Sequence, residues 1–372
     1  MTESAAVNRL GAIQDTMARR GVDLVVIGPS SSLRYALGVR ALATDRLTAL
    51  VVSRDSAVMI MPDFESPEFI EAAGFEAVAP WADRVGPTPA VAAAFERLGT
   101  LPAEPKALVD DELPFQFFTH LRPYLGREPA LASSLLDELR LVKTPDEQER
   151  IARCGVLISE AIDLFQERAA PGMSELDVKR LLEGFLWDGG ADTVDYVLVQ
   201  AGANSAQPHH EATATDVLRA GEPVLVDIAV SLDGYFADIT QQTFLGEPTR
   251  EYAEAYAVVS AAQAAGVSAA IAGAKVEDVA AAATAVIVDA GYGEFNGPRT
   301  GHGLGGDVHE APSVVEGNAT EMLPGVVITI EPGVYVPGSW GIRIEDTVIV
   351  TQAGPRSVTR GARPLHSKPA SS

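Results

Sequence analysis

Residues 224–245 read VLVDIAVSLDGYFADITQQTFL, two apolar runs joined by Asp233-Gly234. An Asp-Gly pair between alternating apolar residues predicts a β-hairpin with a two-residue turn. Such a turn places Asp238 opposite Ala229 and diagonal to Asp227 on the same face of the sheet. The hairpin therefore carries two aspartates where a buried strand pair is expected to carry apolar side chains.

Two further acids interrupt or end apolar runs near the C-terminus. Glu331 follows VVITI, and Glu345 lies inside GIRIEDTVIV at 341–350. Alternation along the second run predicts a single strand, with its isoleucines and valines on one face and Arg343 and Glu345 on the other. One buried acid is best explained by a salt bridge. Four of them, with few basic residues nearby, favour a metal site.

The segment GHGLGGDVHEAP at 301–312 holds two histidines among closely spaced glycines. The glycines match the G-x-G-x-x-G dinucleotide fingerprint, but that fingerprint follows a strand and opens a helix. Here turn-forming residues precede it, and Pro312 closes it. We interpret the glycines as letting a loop pass close to the acids, so that His302 enters the site.

Four carboxylates and one imidazole form a suitable ligand set for two divalent ions. Carboxylate-rich ligation favours manganese, cobalt, iron or zinc over copper, and manganese is preferred here. Two such ions, about 3.5–4 Å apart, can share a water, ionise it and polarise a carbonyl. The predicted chemistry is hydrolysis.

The chain divides into two predicted domains. Residues 1–135 alternate strand-like runs (LVVIG, TALVVS and AVMIMP) with helix-like stretches, which is typical of an α/β domain. Residues 136–372 begin with a helix capped by Thr144 and Glu147, and then repeat the order helix, helix, strands. We expect an α+β domain in which helices pack on a mostly antiparallel sheet.

The composition is that of a globular protein with an excess of acids. The formal net charge is -23, from 28 Lys and Arg residues against 51 Asp and Glu residues. This charge disfavours nucleic acid and anionic membrane surfaces as partners. No apolar run is long enough to span a membrane, and no signal-peptide pattern is seen, so we expect a cytoplasmic protein. The single cysteine, Cys154, allows no internal disulfide and no cysteine-based zinc site.

Five stretches together resemble the pita-bread metallopeptidases, the family of aminopeptidase P, prolidase and methionine aminopeptidase. They are NSAQPHH, VDIAVSLDGYFADIT, GHGLGGDVHEAP, TIEPGVY and GIRIEDTV, and they follow the family's order across residues 204–348. The resemblance implies a pita-bread catalytic domain. It also implies that residues 1–135 form a smaller, creatinase-like domain used for dimerisation and for capping the active site. By position, the implied metal ligands are Asp227, Asp238, His302, Glu331 and Glu345.

The same resemblance implies further roles. Glu331 would handle protons for a hydroxide bridging the two ions, and His309 would contact the substrate and the developing oxyanion. His209 would line the proline subsite or help to hold that oxyanion, and Arg343 would lie beside Glu345. All five ligands are present, whereas creatinase lacks them, and short methionine aminopeptidases lack the N-terminal domain. Hydrolysis before proline is therefore expected.

Two departures from the family pattern modify these expectations. The sequence DITQQTF lacks the family's arginine and has an extra residue, which predicts a β-bulge beside Asp238. Residues 310–330 contain no Arg or Lys, although some prolidases bind the proline carboxylate with an arginine there. The cation would then be Arg343, or Arg46 from the loop of a dimer partner, with Asp45 binding the substrate's ammonium group.

The expected activity is hydrolysis of Xaa-Pro dipeptides by a homodimer. Within the family, the alternative is an aminopeptidase P that acts on longer Xaa-Pro peptides, and a hydrolase with a non-proline substrate is a third reading. An alternative of another class is an inactive relative that binds a partner. Such proteins typically lose metal ligands, and this chain keeps all five.

Overall fold

The structure is a computed structural model that describes residues 3–368. It contains two compact units, one ending at Arg140 and the other beginning at Leu141. The boundary drawn from the sequence, between residues 135 and 136, falls in the same helix, Ser133–Leu141. Within the described residues, no helix is both long and apolar enough to cross a membrane.

The N-terminal unit has the α/β architecture expected from its alternating pattern. Its strands are β1 (Leu24–Ile27), β2 (Ala49–Ser53), β3 (Ala57–Pro62), β4 (Val78–Trp81), β5 (Ala107–Val109) and β6 (Ala130–Leu131). Its helices are α1 (Glu3–Arg20), α2 (Ser31–Leu37), α3 (Ser66–Ala73), α4 (Thr88–Arg97), α5 (Phe115–Leu121) and α6 (Ser133–Leu141), with a 3-10 turn at Arg122–Tyr124. The three predicted strands are confirmed as β1, β2 and β3.

The sheet of this unit has the order β4-β3-β2-β1-β5-β6. Its β1-β2 and β2-β3 pairs are antiparallel, and the other pairs are parallel. Alternate side chains of β1 enter two different buried clusters, Leu24 and Val26 in one and Val25 and Ile27 in the other. The sheet is therefore covered on both faces, which explains why its strands read as continuous apolar runs.

The C-terminal unit begins with the capped helix expected from the sequence. Thr144 Oγ1 accepts from Glu147 N at 3.3 Å, and Thr144 N donates to Glu147 Oε2 at 2.7 Å. This reciprocal capping box fixes the start of the helix. The helices of the unit are α7 (Pro145–Arg168), α8 (Glu175–Asp188), α9 (Arg250–Ala269) and α10 (Val276–Asp289).

The strands of the C-terminal unit form a mostly antiparallel arrangement, as predicted. They are β7 (Thr193–Ala201), β8 (Pro223–Leu232), β9 (Tyr235–Leu245), β10 (Gly301–Gly303), β11 (Glu310–Val314), β12 (Val327–Ile330), β13 (Gly333–Val336), β14 (Trp340–Arg343), β15 (Asp346–Thr351), β16 (Gly354–Ser357) and β17 (His366–Lys368), with 3-10 turns at Gly202–Ala206 and Gly293–Phe295. The sheets are β17-β9-β8-β7 and β11-β10-β12-β15-β16, and β13 pairs with β14. Apolar side chains of α7 and α8 pack against β7, β8 and β9 in one core.

The β8-β9 hairpin has the predicted turn and register. Asp233 and Gly234 have φ values of 50° and 76°, as a two-residue turn with two left-handed positions requires. Asp238 pairs with Ala229, so it lies diagonal to Asp227. The local sequence therefore fixes the relation between the two aspartates.

The β-bulge predicted beside Asp238 is wrong, because β9 pairs with β8 residue for residue. The polar run stays in the regular strand since its buried side chains find hydrogen-bond partners. Gln242 Nε2 donates to a main-chain oxygen of β14 at 3.2 Å, and Thr240 Oγ1 donates to a carboxylate at 2.6 Å. In this sheet, the register shift lies in β7, between Val194 and Tyr196.

The run GIRIEDTVIV forms two strands in different sheets, so the prediction of a single strand is wrong. β14 pairs with β13, whereas β15 pairs with β12. Ile342 belongs to one buried cluster, and Val348 and Val350 belong to another. The chain changes sheet because each sheet buries its own apolar set, and Glu345 lies at the change.

Candidate metal centre

The four predicted acids come together from two of the sheets of the C-terminal unit, β17-β9-β8-β7 and β11-β10-β12-β15-β16. Asp227 and Asp238 lie on β8 and β9, Glu331 follows β12, and Glu345 precedes β15. Asp227, Asp238 and Glu345 are buried, and the side chain of Glu331 is 16% exposed. Oxygen atoms of Asp238 and Glu345 and a ring nitrogen of His302 all lie within 4.8 Å of one another.

His302 reaches the acids from the short strand β10, where a loop was predicted. Its Nδ1 lies 3.0 Å from Gly303 O, so Nδ1 carries the proton and Nε2 keeps a lone pair. Nε2 faces Glu331 Oε1 at 3.4 Å and Asp238 Oδ2 at 3.8 Å. Burial lowers the pKa of His302 to about 4. At neutral pH the ring is therefore neutral, which is the form that binds metal ions.

Two glycines allow β10 to run close to its neighbours. A Cβ atom on Gly301 would lie 2.0 Å from Thr329 O, and one on Gly303 would lie 2.2 Å from Ala311 O. Both contacts are with main-chain atoms, so no side-chain movement would relieve them. The glycines thus allow close passage of the backbone as predicted, but past the neighbouring strands β11 and β12, and the segment is a strand rather than a loop.

Three of the acids have one oxygen held by a neighbouring side chain. The donors are Arg343 Nη2 to Asp227 Oδ2 at 2.7 Å, Tyr196 OH to Asp238 Oδ2 at 2.7 Å and Thr240 Oγ1 to Glu345 Oε2 at 2.6 Å. The second oxygens of these acids, Asp227 Oδ1, Asp238 Oδ1 and Glu345 Oε1, are buried and have no hydrogen-bond partner within residues 3–368. A buried carboxylate oxygen without a partner destabilises the fold by roughly 1–3 kcal/mol or more.

Buried, unpartnered carboxylate oxygens require either a proton or a cation. In the protein alone, burial and then Asp227 raise the pKa of Asp238 well above its usual range. Burial and then Asp238 raise the pKa of Glu345 in the same way, and burial raises that of Glu331. The lone pair of His302 faces the same space. Carboxylate oxygens with a neutral imidazole fit a divalent cation, and no thiolate is needed.

Two of the acids, Asp227 and Glu331, line a cavity of about 550 Å³. Of the further residues expected at the site, His209, His309 and Arg343 line this cavity. The ring centroid of His309 lies 4.3 Å from that of His302. Desolvation and then His302 lower the pKa of His309 to about 4. At neutral pH its neutral ring therefore offers one N–H donor and one acceptor.

Residues 149–352 match Metallopeptidase family M24. The chain belongs to this family. Residues 9–142 match the Creatinase/Prolidase N-terminal domain. The Probable dipeptidase PepE of Mycobacterium tuberculosis is 36% identical over 355 residues, which cover 94% of this chain and 93% of that protein. The Xaa-Pro dipeptidase of Lactobacillus helveticus is 34% identical over 266 residues, or 70% of this chain and 71% of that protein.

The solved structures give this M24 chain the pita-bread fold expected from the resemblance. The crystal structure of dipeptidase PepE from Mycobacterium ulcerans matches with a TM-score of 0.91 at 34% identity, covering 99% of both chains. A recombinant prolidase from Thermococcus sibiricus matches with a TM-score of 0.89 at 30% identity, covering 97% of this chain and 98% of that chain.

Two residues that hold acids of this M24 site, Tyr196 and Thr240, were not predicted from the sequence. Tyr196 pairs with Ala229, which in turn pairs with Asp238, so the three form a row across β7, β8 and β9. Thr240 lies opposite Asp227 in the same way. The hairpin register could have identified Thr240. Tyr196 could not be identified in this way, because the register shift in β7 changes which of its residues lie opposite each residue of β8.

Arg343 pairs with Asp227, and its donors are largely used within the protein. Its side chain is 4% exposed. It donates from Nη2 to Asp227 Oδ2 at 2.7 Å, from Nε to Thr240 Oγ1 at 2.9 Å and from Nη1 to Tyr335 OH at 2.8 Å. This arginine therefore fixes the position of Asp227. It has little donor capacity left for a substrate carboxylate.

Asp45 and Arg46 lie in the N-terminal unit. Arg46 donates to Asp83 from Nε at 3.0 Å and from Nη2 at 2.9 Å, and its guanidinium lies 5.5 Å from the ring centroid of Phe64. The side chain of Asp45 is 84% exposed. Their assignment to a partner's active site stays a prediction.

A second group of potential ligands, Glu175, His210 and Asp216, contrasts with the first. Both oxygens of Glu175 are used: Oε1 accepts from Ala201 N at 2.7 Å, and Oε2 lies 3.0 Å from His210 Nε2. Thr213 donates to Asp216 Oδ2 at 2.6 Å. These hydrogen bonds explain the group as an anchor for the segment that carries His209, and we assign no metal to it.

Proposed function

We propose that the protein is a metal-dependent dipeptidase that hydrolyses the bond before proline in Xaa-Pro dipeptides. The observation that carries this proposal is the set of buried carboxylate oxygens that have no hydrogen-bond partner among residues 3–368, close to the ring of His302 and to a cavity lined by His209 and His309. Membership of the M24 family and the names of the relatives support the same activity.

Two divalent ions would be held by the five residues that the family resemblance assigns: Asp227, Asp238, His302, Glu331 and Glu345. When bound, such ions polarise the scissile carbonyl and lower the pKa of an attacking water. We propose manganese, with cobalt, zinc or iron as alternatives, because the set is rich in oxygen donors and has one imidazole.

The side chains around the ligands would carry out the proton transfers and hold the substrate. Glu331 is the least buried of the acids and borders the cavity, so its carboxylate can accept a proton from the attacking water. Neutral His309 can donate its N–H to the oxygen that gains charge as the carbonyl is attacked. His209 lines the same cavity, on the wall where we place the proline ring.

The prolyl bond is suited to this chemistry because a prolyl amide is tertiary and has no N–H. Peptidases that bind the scissile amide through that group handle proline poorly. A site that acts through metal ions, Glu331 and two histidines does not depend on it. Two relatives of this chain are named dipeptidases, which supports dipeptides as its substrates rather than the longer peptides cleaved by aminopeptidase P.

Three further features belong to the proposal. We expect a homodimer, in which Arg46 and Asp45 of one subunit reach the substrate held by the other. We expect the protein to act in the cytoplasm. We expect no nucleic-acid partner, because the net charge of -23 disfavours binding to phosphates.

A product assay with the manganese-loaded protein tests the proposed function. Xaa-Pro dipeptides, Xaa-Pro-Yaa tripeptides and matched Xaa-Ala dipeptides are offered in parallel, and released amino acids are separated by chromatography. We expect cleavage of the Xaa-Pro dipeptides only. Efficient release from tripeptides would favour aminopeptidase P instead, and preferential cleavage of Xaa-Ala would contradict the proline specificity.

A further inference from the structure

Arg299 lies in a fixed segment at the edge of the candidate active site. The segment precedes β10 and is held at both ends: Gly297 N donates to Gly333 O at 3.0 Å, and Thr300 N donates to Val314 O at 3.1 Å. The side chain of Arg299 lines the same cavity as His209 and His309 and is 38% exposed. The backbone thus presents a cation to the substrate space from a rigid position.

Arg299 donates no hydrogen bond among the residues that the structure describes. Its one ion pair joins Nε to Glu331 Oε1 at 3.8 Å, which is too long for a hydrogen bond. The other arginine that lines the cavity, Arg343, already donates to three side chains. A guanidinium with free Nη groups is built to bind a carboxylate with two parallel hydrogen bonds.

We propose that Arg299 binds a carboxylate of the substrate, an inference that rests on the proposed dipeptidase function. The ion pair places its guanidinium beside Glu331, at the reacting end of the cavity. In an Xaa-Pro dipeptide, the C-terminal carboxylate belongs to the residue after the scissile bond. It therefore lies within about one residue spacing, ~3.8 Å, of the reacting carbonyl. An acidic side chain on the residue before proline lies at a similar distance. Either carboxylate could accept the same pair of charged hydrogen bonds from Arg299.

A different role for Arg299 is to act on Glu331 alone, by balancing its charge. In that case its removal would change kcat for all substrates alike. If Arg299 binds a substrate carboxylate, its removal would raise KM only for substrates that carry that carboxylate. The two roles therefore separate in matched substrate pairs.

The kinetic experiment compares wild-type protein, Arg299→Ala and Arg299→Lys, all loaded with manganese. The substrate pairs are Ala-Pro with Ala-Pro amide, and Asp-Pro with Asn-Pro. Loss of a bidentate charged hydrogen bond is expected to raise KM by roughly ten- to a hundredfold. Lysine should restore part of this loss. The matched control is Arg219→Ala, an exposed arginine of the same unit that lies 3.7 Å from Glu222, and it should behave as wild type.

A selective rise in KM for Ala-Pro over its amide supports the C-terminal carboxylate as the ligand. A selective rise for Asp-Pro over Asn-Pro supports the side-chain carboxylate. Equal effects within both pairs, or none, would overturn the proposal while leaving wild-type dipeptide cleavage, and hence the proposed function, intact.

If the wild type cleaves none of these peptides, a binding measurement tests whether Arg299 still binds a carboxylate. Calorimetry compares L-proline with L-prolinamide, and L-aspartate with L-asparagine, on wild-type and Arg299→Ala protein. Tighter binding of the acid in either pair, lost in the variant, would support the carboxylate site without the proposed activity. No discrimination by the wild type would refute it.

Discussion

The carboxylates at 227, 238 and 345 can be stabilised in two ways, by protons or by cations. Each has one oxygen fixed by a donor and another buried without a partner among the described residues. The donors hold the side chains in place, and oxygen atoms of Asp238 and Glu345 lie within 4.8 Å of a ring nitrogen of His302. A cation satisfies all of these groups at once, whereas protons would have to be taken up group by group.

Substitution of Asp238 by asparagine tests this account at one residue. Asp238→Asn keeps the hydrogen bond from Tyr196 but removes a charge from the ligand set. We expect kcat to fall by more than about a hundredfold and bound manganese, measured by mass spectrometry, to be lost. The metal-free variant should be more stable than metal-free wild type by roughly 1 kcal/mol, since a costly buried charge is gone.

The matched control is Asp289→Asn, which removes an exposed aspartate at the end of α10. It should leave the activity, the metal content and the unfolding midpoint unchanged. Wild-type activity in Asp238→Asn would refute the metal centre.

The raised pKa values of Asp238 and Glu345 predict how the stability of the metal-free protein depends on pH. A carboxyl whose folded pKa exceeds its unfolded value binds protons more tightly when folded. Its contribution to stability is complete below about pH 4 and is lost as the pH rises through the folded pKa. In chelator, the stability of wild type relative to Asp238→Asn, measured from about pH 4 to 8, should therefore fall as the pH rises.

Urea midpoints of both proteins across this range would measure the effect. Comparison with the variant cancels the acids elsewhere in the chain. A difference between the two proteins that does not change with pH would contradict the raised pKa of Asp238.

At the scale of elements, β10 is positioned by glycines rather than by side-chain packing. Gly301→Ala would place a Cβ atom 2.0 Å from the main-chain oxygen of Thr329. Thr329 Oγ1 also accepts from His302 N at 3.0 Å, so the strain would reach the ligand set. We expect a loss of about 1–3 kcal/mol in unfolding free energy and weaker manganese binding.

Gly184→Ala is the control for this substitution. Gly184 lies inside α8 and has no atom within 4 Å of a built Cβ. The change should be neutral or stabilising by about 0.5–1 kcal/mol. If Gly301→Ala were equally well tolerated in thermal unfolding, close packing of β10 would not explain its glycines.

The elements also show how far the sequence could predict the fold. The hairpin around Asp233 was predictable, because turn residues and alternation are local and fix its register. The division of GIRIEDTVIV between two sheets was not, since it depends on which distant strands pair with each half. Arg299 was missed for a similar reason. It precedes the glycine segment by two positions in the sequence, and only tertiary contacts show that it faces the cavity.

For the whole molecule, metal binding should appear as added stability. A ligand at a hundred times its dissociation constant stabilises the folded state by about 2.7 kcal/mol. For a unit of this size, that corresponds to a rise in Tm of roughly 5–11 °C. Manganese should raise the Tm of the chelator-treated protein by such an amount, and fresh chelator should reverse the rise. An equal rise in Asp238→Asn would place the binding outside the proposed centre.

The proposed role of Arg46 requires two subunits, and subunit mixing tests it. Arg46→Ala keeps its own metal ligands, whereas Asp238→Asn keeps an intact loop. In a symmetric dimer that shares loops, each hybrid has one complete site, so random exchange should restore about a quarter of the wild-type sites. Light scattering must first show a dimer, and Arg46→Ala alone must raise KM for dipeptides. The proposed role of the loop would be refuted if the activity of the mixture equalled the sum of the two separate variants. An unchanged KM in Arg46→Ala would refute it as well.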